Sequence, residues 1–385
     1  MENGAGVRNP RARQRALAIG VAPSADGDGD PLAELKELLR TAGVATAGEL
    51  VQVRAEPDPD RYLGRGKLAE LRAQIKRDGA NLVACDDELV PRQERNLEAA
   101  LDVPVIDRTA IILDIFADHA HSAEGKLQVE LAQLEYNLAR MRGLWTHLER
   151  LGAGRIDGGI GTRGPGESQI ETDRRLARDR ITTLRRRLVR VERNRGVQRA
   201  RREASTTPTV ALAGYTNAGK STLLGALTDT EVHVADAMFA TLDPTSRRLR
   251  FPHEREVIVT DTVGFIRDLP PELVAAFRAT LEEISDASLL LHVVDASAPD
   301  YERRIAAVHE VLRQIGMEAT PELLVFNQID RLEPEAAAAI AARHGGVPVS
   351  ALRRHGLTEL VARADAMLRE TLAERPPTPA LAQGG

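Results

Sequence analysis

Apolar runs at residues 16–22, 82–85 and 103–106 have the unbroken hydrophobic pattern of strands covered on both faces. Between them, residues 32–39 and 67–76 space their apolar positions like helices packed along one side. The alternation predicts a small α/β domain over residues 16–117, preceded by a disordered start at 1–15. Further runs at 210–213, 257–261, 289–295, 323–327 and 347–350 are mostly separated by helical patterns. They predict an α/β domain over residues 206–372, a mostly parallel sheet with helices on both faces. Residues 203–208 read as a linker, and the Pro-, Ala- and Gly-rich tail 373–385 as disordered.

The middle of the chain has a different period. From Leu127 the apolar positions are Leu131, Leu134, Leu138, Met141 and Trp145; a second series runs Ile170, Ala177, Ile181, Leu184, Leu188 and Val191. Steps of three, four and seven are the seam of one helix lying along another. The two series predict a long antiparallel helical hairpin over residues 118–203. Its tip is the segment 152–166, where seven glycines and one proline exclude a helix.

Charge sharpens this picture. The chain sums to -5, yet residues 174–202 hold thirteen arginines against Asp179 and Glu192, so that segment alone carries +11. With Arg155 and Arg163 in the neighbouring loop, it suits a phosphate-rich surface. At 385 residues, 43% hydrophobic and 28% charged, the chain is ordinary globular protein of two or three domains. It has no apolar stretch long enough to span a bilayer, and the short run after the basic start is not a signal peptide. The expectation is a cytoplasmic monomer without stable membrane insertion, with peripheral membrane contact left open. The single cysteine, Cys85, excludes an internal disulfide and reads as a small core residue.

The candidate chemistry starts at Gly214-Tyr215-Thr216-Asn217-Ala218-Gly219-Lys220-Ser221, which matches G-x-x-x-x-G-K-S/T between an apolar strand and a helical pattern. Glycines there let backbone N–H groups face phosphate oxygens; Lys220 offsets charge on the β and γ phosphates, and the Ser221 hydroxyl ligates Mg²⁺. Asp261-Thr262-Val263-Gly264, ending the next strand, supplies a carboxylate behind the metal through water and the Gly264 N–H for the γ phosphate. Between the two, Phe239-Ala240-Thr241-Leu242-Asp243 and the following Pro244-Thr245 form a switch loop, with Thr241 the first choice to complete the metal shell and Thr245 the second. Lys220, Thr241 and Gly264 are the expected catalytic positions. Phe265 stands where many such sites carry a glutamine that orients water, so intrinsic hydrolysis is expected to be slow.

Base choice falls to Asn327-Gln328-Ile329-Asp330, which resembles the Asn-Lys-x-Asp element of GTPases, whose aspartate accepts from guanine N1 and N2. Ser350-Ala351-Leu352 resembles the element whose backbone N–H reads guanine O6. Gln328 replaces the lysine whose stem covers the purine, which predicts weaker affinity with selectivity kept by Asp330. Gly159-Ile160-Gly161-Thr162-Arg163-Gly164 fits a dinucleotide fingerprint by letters but follows no strand. Asp118, His119 and His121 lack the further ligands of a metal site, and His292 reads as a strand histidine with a satisfied hydrogen bond.

With these motifs in order, the chain resembles the HflX family of translational GTPases over residues 16–370. Beyond the nucleotide motifs, the resemblance rests on Tyr62-Leu63-Gly64-Arg65-Gly66-Lys67, Pro91-Arg92-Gln93-Glu94-Arg95-Asn96-Leu97, Asp107-Arg108-Thr109 and Gly158-Gly159-Ile160-Gly161-Thr162-Arg163-Gly164-Pro165-Gly166-Glu167. It implies an N-terminal α/β domain, a helical hairpin and a Ras-like G domain that binds GTP or GDP with Mg²⁺, with Ser221 and Thr241 on the ion. It also implies binding to the large ribosomal subunit, through the Arg-rich helix and the 152–166 loop, and splitting or recycling of stalled or idle ribosomes under stress. Two departures are Gln328 for the usual lysine and a chain that ends soon after the G domain, without the extra C-terminal domain some members carry. A large-subunit assembly GTPase, an ATP- or GTP-driven RNA remodelling protein and a non-hydrolysing RNA-binding module are the competing readings.

Overall fold

Arg15–Ala22 (β1) is inner to its sheet, pairing in parallel with Ala45–Val53 (β2) on one side and Leu82–Cys85 (β3) on the other, which explains a run with no place for a polar residue. Val105–Asp107 (β4) completes a four-stranded parallel sheet of order β2-β1-β3-β4. The computed structural model describes residues 14–24, 30–141, 165–203, 207–228, 238–239, 245–252, 256–267, 273 and 287–374. Contacts divide the chain into two compact units, Met1–Val191 with Pro270–Ala276, and Glu192–Leu269 with Phe277–Gly385.

In the first unit, helices Ala33–Thr41 (α1), Arg65–Asp78 (α2), Pro91–Leu101 (α3) and Arg108–His119 (α4) alternate with the strands. Both expected helices and all three expected strands are present. β2 was not expected because only Leu50 of its residues is buried, so no apolar run announces it. α3 starts with Pro91 at a position that needs no N–H, and the Gln93 side chain accepts from Val90 N at 3.1 Å. Cys85 is fully buried and free.

Asp107 caps α4 by accepting from Ala110 N at 2.9 Å, and it is also the hub of a buried network. It accepts from Leu89 N at 3.1 Å, Tyr136 Oη at 2.8 Å and Arg140 Nη2 at 2.8 Å. Arg140 lies over the Tyr136 ring at 3.5 Å and also donates to Glu94 at 2.9 Å. Tyr136 and Arg140 belong to Ala123–Arg140 (α5), so this network anchors the first hairpin helix on the end of β4. Removing one partner of a buried pair strands the other charge. Arg140→Met is therefore expected to destabilise this unit by about 3 kcal/mol, read as a lower urea midpoint at unchanged slope; a loss under about 0.5 kcal/mol would mean that the pair is dispensable.

Pro165–Glu203 (α6) is the second hairpin helix; it begins inside the segment read as a glycine loop, so the helix-free tip ends before Pro165, whose missing N–H costs nothing in a first turn. The rest of the tip, 152–164, lies outside the described residues. Leu131 packs with Ile181 and Leu184, flanked by Leu127, Leu134, Leu138 and Leu188. Arg180 pairs with Glu130 at 2.6 Å and Arg185 with Glu135 at 2.7 Å. Glu130 and Arg180 each precede a seam residue, whereas Glu135 and Arg185 each follow one. Like flanks meet only when two helices run in opposite directions, so the hairpin is antiparallel.

The second unit has a six-stranded sheet of order β10-β9-β8-β5-β7-β6. Thr209–Gly214 (β5), Glu256–Asp261 (β7), Leu289–Asp295 (β8), Glu322–Asn327 (β9) and Val347–Pro348 (β10) are parallel; Thr245–Arg250 (β6) runs antiparallel on the edge beside β7. β6 is almost wholly exposed, which is why its polar sequence read as loop. Helices Lys220–Thr228 (α7), Tyr301–Gln314 (α8), Pro334–His344 (α9) and Leu357–Glu374 (α10) intervene. The parallel strands deliver Gly214, Asp261 and Asn327 to one edge of the sheet, where open α/β sheets bind ligands. No helix among the described residues is long and apolar enough to cross a membrane.

Candidate nucleotide site

Gly214 to Ser221 turn from β5 into α7. Lys220 is only 6% exposed, and its ammonium donates to the Gly214 and Tyr215 carbonyls at 3.0 Å each, curling the loop around its own side chain. Burial pulls the Lys220 pKa down to about 8, against the opposing pull of Asp261. At Gly219, φ is +87° and a Cβ would come within 2.4 Å of Asn327 Nδ2, so glycine is required there.

The end of β7 is strapped to this loop. Thr216 N donates to Phe265 O at 2.7 Å and Phe265 N to Gly214 O at 3.0 Å. Gly264 lies so close that a Cβ would sit 2.9 Å from Thr216 Cγ2 and 3.2 Å from Lys220 Nζ. The Phe265 ring is buried at 1% exposure, and Thr216 Oγ1 is buried with no hydrogen-bond partner. Thr262 Oγ1 donates to Leu212 O at 2.6 Å, stitching β7 to β5, and Val263 is buried beside it. Ser221 Oγ stands 2.6 Å from Asp261 Oδ2, so a hydroxyl and a carboxylate meet at the head of α7. Hard oxygen donors of this kind fit Mg²⁺.

Asn327 joins the other two motifs to the loop. Its Nδ2 donates to Ala218 O at 2.9 Å, and its Oδ1 accepts from Ala351 N at 2.9 Å. Gln328, with φ +65°, donates from Nε2 to Asn217 O at 3.0 Å, and Asn217 itself has φ +61°. Gln328 thus fastens the phosphate loop, a role its mismatch with lysine did not suggest. Ile329 and Asp330 lie in the 3₁₀ turn Ile329–Arg331. Asp330 is exposed, and its Oδ1 accepts from Ser350 Oγ at 2.5 Å, which in turn accepts from Arg353 N at 3.0 Å. Leu352, at 74% exposure, stands open beside it.

Of the switch-loop candidates, Phe239 is buried at φ +57°, while Ala240, Thr241, Leu242 and Asp243 lie outside the described residues. Thr245, the second choice, is the first residue of β6, in register with Asp261. Tyr215 was expected only as part of the loop string; its hydroxyl accepts from Arg267 N at 2.8 Å and the Arg304 guanidinium lies 5.2 Å from its ring centroid.

Family models match three successive stretches of this chain. A family model described as GTP-binding GTPase N-terminal covers residues 29–117, one described as GTP-binding GTPase Middle Region covers 119–202, and one described as 50S ribosome-binding GTPase covers 209–328. A protein named GTPase HflX from Caldanaerobacter subterraneus is 51% identical over 323 residues, which is 84% of this chain and 74% of that one. The protein of that name from Escherichia coli is 48% identical over 322 residues, again 84% and 74% of the two chains. A solved GTP-binding protein from Sulfolobus solfataricus in complex with GDP is 22% identical with a TM-score of 0.46, covering 93% of this chain and 99% of that one.

Proposed function

We propose, because the chain belongs to the HflX family of GTPases, that this GTP hydrolase uses Lys220, Ser221, Asp261 and Gly264 on the phosphates, Asp330 on guanine, and the large ribosomal subunit as its trigger. The observation that carries the nucleotide reading is the Asn327 clamp, which ties the phosphate loop at Ala218 to the base-reading segment at Ala351. Water attacks the γ phosphorus, the bond to the β–γ bridging oxygen breaks, and GDP and phosphate leave. Lys220 and the Gly264 N–H face the transferring group. Ser221 would hold Mg²⁺, with Asp261 behind it and Thr241 as the remaining hydroxyl, and the ion would supply positive charge to the phosphate oxygens. Ser350 N is taken by His355 O and Ala351 N by Asn327, so the donor toward guanine O6 falls to Leu352. The buried Phe265 ring cannot orient water, so slow intrinsic turnover awaits a group from Thr216, the switch loop or a partner.

Lys220 sets a pH dependence. Phosphate binds the ammonium form, and burial lowers the pKa of the free protein to about 8. Above that pH the lysine must take up a proton before it can hold phosphate, so GDP affinity falls as pH rises. Between pH 7 and pH 8.5 the dissociation constant is expected to rise about fourfold, measured by calorimetry in buffers of different ionisation heat; a flat profile would contradict the assignment.

The ribosomal reading is supported by the family-model match over 209–328 and by Arg186, Arg187 and Arg190, which are exposed on α6. Arg185 is engaged with Glu135, so reversing its charge would test the hairpin rather than RNA binding. Splitting or recycling of ribosomes in the cytoplasm under stress completes the proposal, with the division at residues 118 and 206 into domain, hairpin and G domain. GTP hydrolysis, with ATP as control, is expected to rise strongly with large subunits, and Arg186→Glu, Arg187→Glu and Arg190→Glu together are expected to abolish the rise. If large subunits leave turnover unchanged, the ribosomal part fails while the GTPase part stands. Surplus intact ribosomes in stressed cells lacking the protein would indicate splitting; precursor particles would indicate assembly.

A further inference from the structure

Three side chains of the second unit, on elements other than those that carry the phosphate loop, converge on one point. His292 lies mid-strand on β8, His309 on α8, and Glu322 at the start of β9. Glu322 Oε1 is 2.6 Å from His292 Nδ1 and 3.0 Å from His309 Nε2, and Oε2 is 2.9 Å from the latter. One ligand atom from each residue lies within 4.8 Å of the others, and the two imidazoles cross at 77° with centroids 5.4 Å apart. His292 is 1% exposed, while the His309 and Glu322 side chains are 41% and 26% exposed, so the group has a dry floor and a solvent-facing entry.

The chemistry of the trio is that of a metal ligand set. Two imidazoles and one carboxylate with an open position form the ligand count of zinc sites that keep water or another ligand in the fourth place. Zinc–nitrogen bonds of about 2.0 Å set tetrahedral ligands about 3.3 Å apart, wider than the carboxylate–imidazole spacings of 2.6 Å to His292 and 2.9 Å to His309 by about 0.7 and 0.4 Å. On binding, each ring needs only to carry its proton on the far nitrogen.

We propose that His292, His309 and Glu322 form a binding site for a divalent transition-metal ion of the zinc type, separate from the Mg²⁺ position at Ser221. Nitrogen donors select such an ion over Mg²⁺, which takes oxygen. The ion would join α8 to β8 and β9. Because Ala213 is in register with His292, it would sit on the strand next to the one that carries the phosphate loop.

The full-length protein, in excess Mg²⁺ to fill oxygen-donor sites, is titrated with Co²⁺ and followed by visible absorption. One equivalent is expected to bind with tetrahedral bands that Zn²⁺ abolishes. His309→Ala, on a half-exposed helix face, and Glu322→Gln, which keeps hydrogen-bonding capacity, are each expected to weaken Co²⁺ binding at least about 100-fold. Binding of equal strength in both variants, or no single-equivalent binding by the parent protein, would overturn the proposal. Neither result bears on GTP hydrolysis.

Discussion

Lys220→Ala is expected to lower GTP turnover about 1000-fold, about 4 kcal/mol of transition-state stabilisation. Two losses add. In the proposed site the ammonium is the charge that meets the β and γ phosphates, and charge stabilisation in a water-poor site is worth far more than in solution. Lys220 Nζ also donates to the Gly214 and Tyr215 carbonyls, so alanine removes the post around which the loop is wound. Folding should survive, because the Thr262 bond to Leu212 and the packing of Val210, Leu212, Val257 and Leu291 are untouched. Arginine should not rescue, since its broad fork needs room that a side chain 6% exposed does not have. Single-turnover hydrolysis with the variant at unchanged melting temperature is the measurement. Turnover within about tenfold of the parent would move the chemistry away from this loop.

What could be read from residues alone follows a physical divide. The strands at 82–85 and 289–295 were legible to the residue because their burial is continuous up to Asp295, with His292 the one polar side chain inside it. The edge strands β2 and β6 were not, because an exposed strand has the composition of a loop. The turn from β5 into α7 was legible because its residues are contiguous and its backbone demands glycine at 219. The Asn217–Gln328 bond was not, since it joins positions far apart in the chain that each take a left-handed backbone without being glycine. The hairpin seam was visible in its period, but the pairing of Arg185 with Glu135 was not, and a charge run alone cannot tell an internal bridge from a surface offered to RNA. The grouping of His292 with His309 and Glu322 required three elements to be folded together.

Asp330→Asn is expected to reverse the choice of base, shifting preference from GTP to XTP by about 10⁴. Asp330 is exposed at the 3₁₀ turn with one oxygen anchored by Ser350, so the carboxylate is oriented before any base arrives. Guanine offers N1–H and the N2 amino group, and a carboxylate accepts from both through charge-assisted bonds worth about 1.5–3 kcal/mol each. Asparagine keeps one acceptor and turns the other position into a donor, which opposes the guanine amino group but fits the carbonyl that xanthine carries at C2. The Asn327 and Gln328 bonds to the phosphate loop are independent of this change, so phosphate binding should persist. Dissociation constants for GTP, XTP and ATP on parent and variant separate the possibilities. Unchanged GTP affinity would remove Asp330 from the base site. Loss of all three without a gain for XTP would mean that Asp330 supports the turn and reads nothing. A gain for XTP alone would establish that the carboxylate, rather than the residue at 328, decides which purine this protein uses.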